Sequence, residues 1–191
     1  GLYLTLLLRP RLSPVQAPLL TMLAGISAHS AIQAQTGLAA ELKWPNDLLL
    51  NGRKIGGILT EMHAEPNSIK FVIVGIGMNV NQEKFPAELS SIATSLRKET
   101  GRVWPRLELL ARLLHEFESD YNRWMREGPA YVIERFQSIS GFATGRQVRV
   151  DTGHEVYTGT TAGLSPEGLL LVQRQNGPLA TVIAGDVTEV R

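Results

Sequence analysis

Glycines inside two extended apolar segments constrain the fold of this chain more than any other feature. Gly56-Gly57 interrupts one such segment, and Gly75-Ile76-Gly77 interrupts a second. Clustered glycines weaken a strand and usually mark the close approach of a ligand or another backbone. Asn51-Gly52, just before the first segment, is the strongest short hairpin signal, because both central residues of a type I′ turn need positive φ. We therefore expect an antiparallel meander over residues 40–81, with a further turn at 65–68 and a flat floor lined by glycine.

Helical patterns flank this meander. A capping Ser13 followed by Pro14 predicts a helix that ends at Gly37, with an apolar face at Leu19, Leu23, Ile26 and Ile32. A second helix is predicted to begin at Pro105, with a face at Leu107, Leu110, Leu114, Phe117, Tyr121 and Trp124. A shorter helix is predicted over residues 130–139. The dense apolar segment Leu2–Leu8 predicts a strand that is buried on both faces.

The last third of the chain has a different pattern. Beyond Gln147 we expect only short strands with glycine-rich links, at 148–150, 154–160, 169–172, 180–183 and 188–190. Evenly spaced short strands are typical of a small β-barrel. The fold class predicted from these patterns is α+β, with a mixed or antiparallel sheet and packed helices followed by a small barrel.

Composition excludes several classes of function. The 191 residues contain no cysteine, which excludes disulfides, thiol nucleophiles and cysteine-based zinc sites. A net charge of +1 argues against a protein that binds nucleic acid through bulk charge. No apolar run approaches the roughly 18 residues that a membrane span needs. The chain starts at Gly1 directly on a strand pattern, so we expect it to begin partway through a longer protein.

The segment Lys43-Trp44-Pro45-Asn46-Asp47 places a cation, an amide and a carboxylate around one turn, and Lys54 follows the Asn51-Gly52 turn. Taken alone, Asn46 and Asp47 would serve the turn backbone and Lys54 would be a solvated surface residue. Next to a glycine floor, the same groups could instead hold an elongated ligand with an acidic end, such as an acyl or nucleotide conjugate.

Three motifs resemble those of the biotin–protein ligase family, the biotin–[acetyl-CoA-carboxylase] ligases. They are Lys-Trp-Pro-Asn-Asp at 43–47, Arg-Lys-Ile-Gly-Gly-Ile-Leu-Thr-Glu at 53–61 and Val-Gly-Ile-Gly-Met-Asn-Val-Asn at 74–81. The resemblance implies a class II synthetase-like ligase domain over 1–142, lacking its N-terminal part, and an SH3-like barrel over 146–191. It also implies an ATP-dependent enzyme that makes biotinyl-5′-AMP from biotin and ATP, with Mg²⁺, and passes biotin to a carrier lysine.

The resemblance also implies roles for individual residues. Lys54 would be catalytic, between the biotin carboxylate and the α-phosphate, and Asp47 would serve Mg²⁺ or the ribose. The implied biotin-binding residues are Lys54, Gly56, Gly57, Ile58, Leu59, Gly75 and Gly77. The implied adenylate- or ATP-binding residues are Lys43, Asn46, Asp47, Met78 and Asn79.

The sequence departs from the family at its start. The family's Gly/Arg-rich loop and its upstream biotin motif would lie before Gly1, so residues 1–191 alone are expected to show little or no turnover. The implied partner is the biotin carboxyl carrier domain of acetyl-CoA carboxylase or a similar carboxylase, in the cytoplasm and with no membrane. Nucleic acid would be a partner only if the parent carries an N-terminal DNA-binding domain, and a homodimer stays open. The alternatives are a lipoate-type ligase, a non-catalytic biotin-sensing or repressor effector domain, and a generic barrel-bearing adaptor.

Overall fold

The computed structural model describes residues 1–66 and 68–190. In these residues the strands are β1 (Leu2–Leu8), β2 (Glu41–Lys43), β3 (Asp47–Leu50), β4 (Arg53–Glu65), β5 (Ser68–Met78), β6 (Thr144–Asp151), β7 (Val156–Leu164), β8 (Leu170–Arg174), β9 (Leu179–Val182) and β10 (Asp186–Glu189). The helices are α1 (Ala17–Thr36), α2 (Leu96–Thr100), α3 (Arg106–Glu127) and α4 (Pro129–Ile139). The strands form two five-stranded antiparallel sheets.

The first sheet has the strand order β1-β5-β4-β3-β2. Strands β2 to β5 follow one another as neighbours, which confirms the predicted meander. The β3–β4 hairpin turns through Asn51 at φ 50° and Gly52 at φ 71°, as a type I′ turn requires. The predicted turn at 65–68 includes Asn67, which lies outside the described residues.

Strand β1 is at one edge of this sheet, and the prediction that it is buried on both faces is wrong. Its even-numbered residues face the core, whereas Tyr3 and Leu7 on the other face are largely exposed. A run of apolar residues without alternation cannot distinguish a central strand from an edge strand, because the pattern carries no information about which neighbours cover each face.

Helix α1 packs against the inner face of the sheet and forms the centre of the core. The Ser13 backbone N–H and hydroxyl both donate to the Gln16 side chain, and Gly37 ends the helix in the left-handed conformation, as the sequence predicts. The helical stretch Pro14–Thr36 is long and apolar enough to cross a membrane, but 72% of its most apolar window is buried inside the protein. It is therefore a core helix.

Helix α3 begins and ends where the sequence predicts, but its buried stripe differs from the predicted face. Leu107 and Leu114 are exposed, whereas Phe117 and Trp124 are buried. The stripe that packs inward is Leu109, Leu113, Phe117, Asp120 and Trp124. A pattern that counts only apolar residues does not reveal this stripe, because it includes the buried polar residue Asp120. The Asp120 carboxylate accepts hydrogen bonds from the hydroxyls of Ser27 and Tyr131.

The second sheet has the order β10-β6-β7-β8-β9 and follows α4. Its five strands lie where the sequence predicts short strands, with bounds shifted by a few residues. The α+β prediction is thus confirmed. Within residues 1–66 and 68–190 the end strands β9 and β10 do not pair with each other, so closure into a barrel stays a prediction.

Candidate active site

One row of residues crosses all five strands of the first sheet and joins most of the sequence motifs. Direct cross-strand partners link Tyr3 to Gly77, Gly77 to Gly57, Gly57 to Asp47, and Asp47 to Lys43. Side chains of paired residues stand on the same face of a sheet. The register therefore places two glycines at the centre of this face, an aromatic ring on one side and two charged groups on the other. This confirms the predicted glycine floor as a structural feature.

The neighbouring row lies on the opposite face and is part of the core. It consists of Leu2, Met78, Gly56, Leu48 and Leu42, which pair in the same order across the sheet. Met78 is 2% exposed and packs in this row. The Met78 side chain therefore points away from the groove, because successive side chains point to opposite faces and Met78 follows Gly77. The expected place of Met78 at the adenine stays a prediction.

A bulge brings Lys54 to the same side as Gly57. The β3–β4 ladder shifts by one residue where Ile55 is inserted, and such a bulge reverses the alternation of side chains. As a result Lys54 Cε lies only 3.3 Å from where a Cβ on Gly57 would stand. The Lys54 ammonium is 2.5 Å from Asp47 Oδ1, with side-chain exposures of 50% and 22%. A cation and a carboxylate thus form an accessible ion pair at the edge of the floor.

The segment that follows β5 anchors the backbone of Lys54. The Lys54 N–H donates to the carbonyl of Ile92 at 2.7 Å, and the Thr94 N–H donates to the carbonyl of Lys54 at 2.9 Å. These bonds make an isolated parallel bridge between Lys54 and Ala93. Because both backbone groups of Lys54 are held, the start of its side chain is fixed while the ammonium stays exposed.

Glu99 supports the same region from α2. Its carboxylate accepts hydrogen bonds from Arg53 at 2.6 Å, from Asn51 at 2.5 Å and from Thr94. Burial alone would raise the pKa of Glu99. The hydrogen bonds from Thr94 and Asn51 and the positive charge of Arg53 outweigh burial, so the pKa of Glu99 lies below its ordinary value. An ionised Glu99 therefore ties the β3–β4 turn to the segment that holds Lys54.

The floor opens into an elongated groove made of two adjoining cavities of about 370 and 320 Å³. Both are lined by Tyr3, Lys54, Gly57 and Gly77. The larger continues over Thr5, Asn46, Leu59 and Gly75, and the smaller over Gly56, Asn79, Phe85, Leu89 and Ile92. A groove with one glycine-lined arm and one partly apolar arm, joined at a lysine, fits a two-part ligand with its reactive junction beside that lysine.

The remaining predicted site residues take different positions. The Asn46 amide donates to the Ile58 carbonyl at 2.8 Å, and the Ile58 N–H donates to the Asn46 carbonyl at 2.9 Å, which ties the turn to β4. Ile58 is 2% exposed, so only its backbone lines the groove. The Asn79 side chain accepts a hydrogen bond from Gln82 at 3.1 Å. The Lys43 ammonium lies 5.5 Å from the centre of the Phe142 ring.

Sequence reasoning missed two parts of the groove. Tyr3 and Thr5 face it from β1, and their alternation with inward leucines was the available signal. The wall at Phe85, Leu89 and Ile92 lies in a segment with no regular pattern, and only the contacts of residues 92–94 with Lys54 reveal it.

The carboxylate placed at the groove, Asp47, fits a magnesium ion carried by substrate phosphates. Across residues 1–66 and 68–190 no group of three His, Asp or Glu side chains could hold a metal ion by itself. Mg²⁺ usually keeps several waters and takes one or two carboxylates together with substrate phosphates. Asp47 suits that role, because only one of its oxygens is paired with Lys54.

Comparison with known proteins identifies the family. The model of the biotin/lipoate A/B protein ligase family matches residues 1–79, and that of the biotin protein ligase C-terminal domain matches residues 144–188. The bifunctional ligase/repressor BirA of Bacillus spizizenii is 38% identical over 93% of this chain, which spans 55% of that relative's length. The biotin–[acetyl-CoA-carboxylase] ligase of Paracoccus denitrificans is 31% identical, with 95% of this chain and 79% of the relative covered.

Solved structures agree with this match. The biotin protein ligase of Aquifex aeolicus in complex with biotin and ATP superposes with a TM-score of 0.83 at 29% identity, over 99% of this chain and 78% of that one. The resemblance inferred from the three sequence motifs is confirmed, and the chain belongs to the biotin–protein ligase family.

Proposed function

We propose that the protein activates biotin with ATP and transfers it to a lysine of a biotin carboxyl carrier domain. A biotin carboxylate oxygen would attack the α-phosphorus, forming the P–O bond of biotinyl-5′-AMP and breaking the bond to pyrophosphate. The carrier lysine amine would then attack the acyl carbon and lose a proton, with AMP as the leaving group. The row from Tyr3 to Lys43, with Lys54 beside it, carries this proposal.

Lys54 supplies the charge that the first step needs. The attack brings a carboxylate onto a phosphate, and a fixed ammonium stabilises the negative charge that develops there. Asp47 lies next to the ammonium at 2.5 Å and the held backbone fixes the start of the side chain. A charge that is already in place needs no reorganisation during the reaction. The pairing with Asp47 and the bulge at Ile55 hold the Lys54 ammonium in that place.

The two arms of the groove receive the two parts of the adenylate. The bicyclic ring of biotin lies against the backbone of Gly57, Gly75 and Gly77, where side chains would fill the space. The nucleotide extends past Lys54 toward Asn79, whose amide offers a donor and an acceptor for a base edge. Mg²⁺, held by Asp47 and the phosphates, would supply further neutralisation of the triphosphate.

Several finer statements rest on the family alone. The carrier would be that of acetyl-CoA carboxylase or a similar carboxylase, and the location would be the cytoplasm. The division into a ligase domain over 1–142 and a C-terminal module over 146–191 stays a prediction, as does a homodimer. Lipoate is less favoured than biotin as the substrate, because the named relatives with high coverage are biotin ligases.

A second candidate role is repression. The Bacillus spizizenii relative is named a bifunctional ligase/repressor. DNA binding by the full-length protein, measured by gel shift against promoter fragments of its own genome with and without biotin, would support this role. Equal mobility of the DNA in all lanes would exclude it.

Carrier labelling by full-length protein tests the main proposal. With biotin, MgATP and a carrier domain, intact mass spectrometry should show one added biotinyl group. Lys54→Gln should slow adenylate formation about 10²–10³-fold, the scale of losing one preorganised electrostatic contact. Lys70→Gln is the matched control, since Lys70 pairs with Glu65 outside the groove and is similarly exposed. An unlabelled carrier with a folded wild-type protein, or a fully active Lys54→Gln protein, would contradict the proposal.

A further inference from the structure

The outer edge of β2 is covered by residues that follow α4. Strand β2 ends the first sheet, so no further strand protects it. The Ser140 hydroxyl donates to the Leu42 carbonyl, and the Phe142 ring lies 5.5 Å from the Lys43 ammonium. The edge that leads into the Lys43–Asp47 turn is thus held by the segment that leads into the second sheet.

Further contacts with the chain beyond α4 hold both ends of β2. Arg146 Nη2 lies 3.8 Å from Glu41 Oε1, and Arg146 also pairs with Glu189 of β10 at 3.1 Å. At the other end, the Trp44 indole N–H donates to the carbonyl of Gly168 at 3.0 Å, in a buried position. Each residue from 41 to 44 therefore contacts the chain beyond α4.

Gly168 packs tightly against α1 of the ligase domain. Its φ is +82°, and a Cβ there would stand 2.8 Å from Leu19 Cδ2 and 2.8 Å from Met22 Sδ on α1. The Gly168 N–H donates to the Ser165 carbonyl at 2.9 Å, which closes the turn. The carbonyl that receives the indole N–H is thus fixed from two sides, by its own turn and by α1.

We infer that Trp44 is a positioning residue through which the C-terminal module fixes the turn that carries Asn46 and Asp47. Only Pro45 separates the indole from Asn46, whose carbonyl and amide both bond to Ile58. Asp47 in turn holds the Lys54 ammonium. A displacement of Gly168 would therefore act on the Trp44 indole, through the chain on the Asn46–Ile58 hydrogen bonds, and through Asp47 on the Lys54 ammonium. The kinetic part of this inference rests on the proposed ligase activity, whereas the structural part does not.

Two single variants and their combination test the inference. Trp44→Phe keeps an aromatic ring but removes the N–H donor together with one ring of the buried indole. Gly168→Ala changes no residue of the ligase domain, but its Cβ would press on Leu19 and Met22 of α1 and displace the accepting carbonyl. Trp104→Phe is the matched control, because its indole donates to Thr100 at 2.9 Å outside the groove.

The first readout is hydrogen exchange without substrates. The amide of Ile58 and those of β3 should exchange faster in Trp44→Phe and Gly168→Ala than in the wild type or Trp104→Phe. The second readout is kinetic. Both variants should lower kcat for adenylate formation about 10-fold with KM for biotin nearly unchanged, because small misplacements of reacting groups act on rate.

The double variant separates a shared path from two independent defects. If Trp44 and Gly168 act through one contact, the double variant should be no slower than the slower single variant. Multiplying effects, or unchanged exchange of Ile58 and β3 in Trp44→Phe, would overturn the inference. If wild-type protein forms no adenylate, the proposed function fails, and the exchange measurement alone still decides whether Trp44 positions the turn.

Discussion

Two adjacent rows of residues in the first sheet lie on opposite faces, one in an open groove and one in the core. The row through Gly57 and Gly77 forms the floor of an open groove, whereas the row through Leu48 and Met78, one residue along each strand, is buried against α1. The same five strands supply both. Alternation of side chains therefore separates the residues that line the groove from the residues of the core, and substitutions in the two rows should have different consequences.

The largest effect on folding is expected from the buried row. Leu48→Ala should lower the free energy of unfolding by about 2–5 kcal/mol, because Leu48 is fully buried and its removal leaves a cavity. Denaturant unfolding measures the change. Leu59→Ala is the control, since Leu59 is 64% exposed on the groove face and should cost far less. Equal losses for the two variants would show that the faces are not distinct.

Gly56 and Gly57 lie in different rows, so the same substitution should affect them differently. A Cβ on Gly56 would stand 2.6 Å from the Gly77 carbonyl oxygen, so Gly56→Ala should destabilise the fold by about 1–3 kcal/mol. A Cβ on Gly57 would meet only the Lys54 and Asp47 side chains at 3.3 to 3.5 Å. Gly57→Ala should therefore keep its melting temperature and lose adenylate formation.

Melting curves and single-turnover rates for Gly56→Ala and Gly57→Ala check this reversal. The comparison between the rows fails if Gly57→Ala unfolds more easily than Gly56→Ala while retaining the wild-type rate.

The smallest expected effect concerns Glu99 and depends on pH. Because the pKa of Glu99 is lowered in the folded protein, its contribution is complete above the ordinary glutamate pKa and is lost as pH falls through the lowered value. Glu99→Gln should cost about 1 kcal/mol at neutral pH, and the difference from wild type should shrink in acid. Glu83→Gln, which breaks a more exposed pair with Arg97, should show little change at either pH. If the stability difference between Glu99→Gln and the wild type grew toward low pH, it would contradict this prediction.

Local rules predicted much of this structure because the relevant information was local. The Asn51-Gly52 turn, the Ser13 cap of the short 3-10 turn Pro14–Gln16 that leads into α1, and the Gly37 end of α1 each follow from backbone preferences of a few residues. The glycine floor followed from glycines in otherwise apolar strands. The motif resemblance then assigned Lys54 and Asp47 to one site, and their pairing agrees with that assignment.

The errors came from information that is not local. Whether Leu7 is covered depends on which elements lie beside β1, which the sequence of β1 does not report. The bulge at Ile55 sets the direction of Lys54 but leaves no clear mark in the sequence. Contacts of Trp44 with Gly168 join residues more than a hundred positions apart, which no short pattern reports.

Ligand protection of Lys54 shows whether this side chain lies in the ligand-binding groove. The full-length protein would be treated with an amine-modifying reagent, with and without a saturating non-hydrolysable analogue of biotinyl-adenylate, and lysine modification would be measured by mass spectrometry. Lys54 and Lys70 are about half exposed and both should react in the free protein. The bound analogue is expected to protect Lys54 and to leave Lys70 unchanged. Equal modification of Lys54 with and without bound analogue would contradict it.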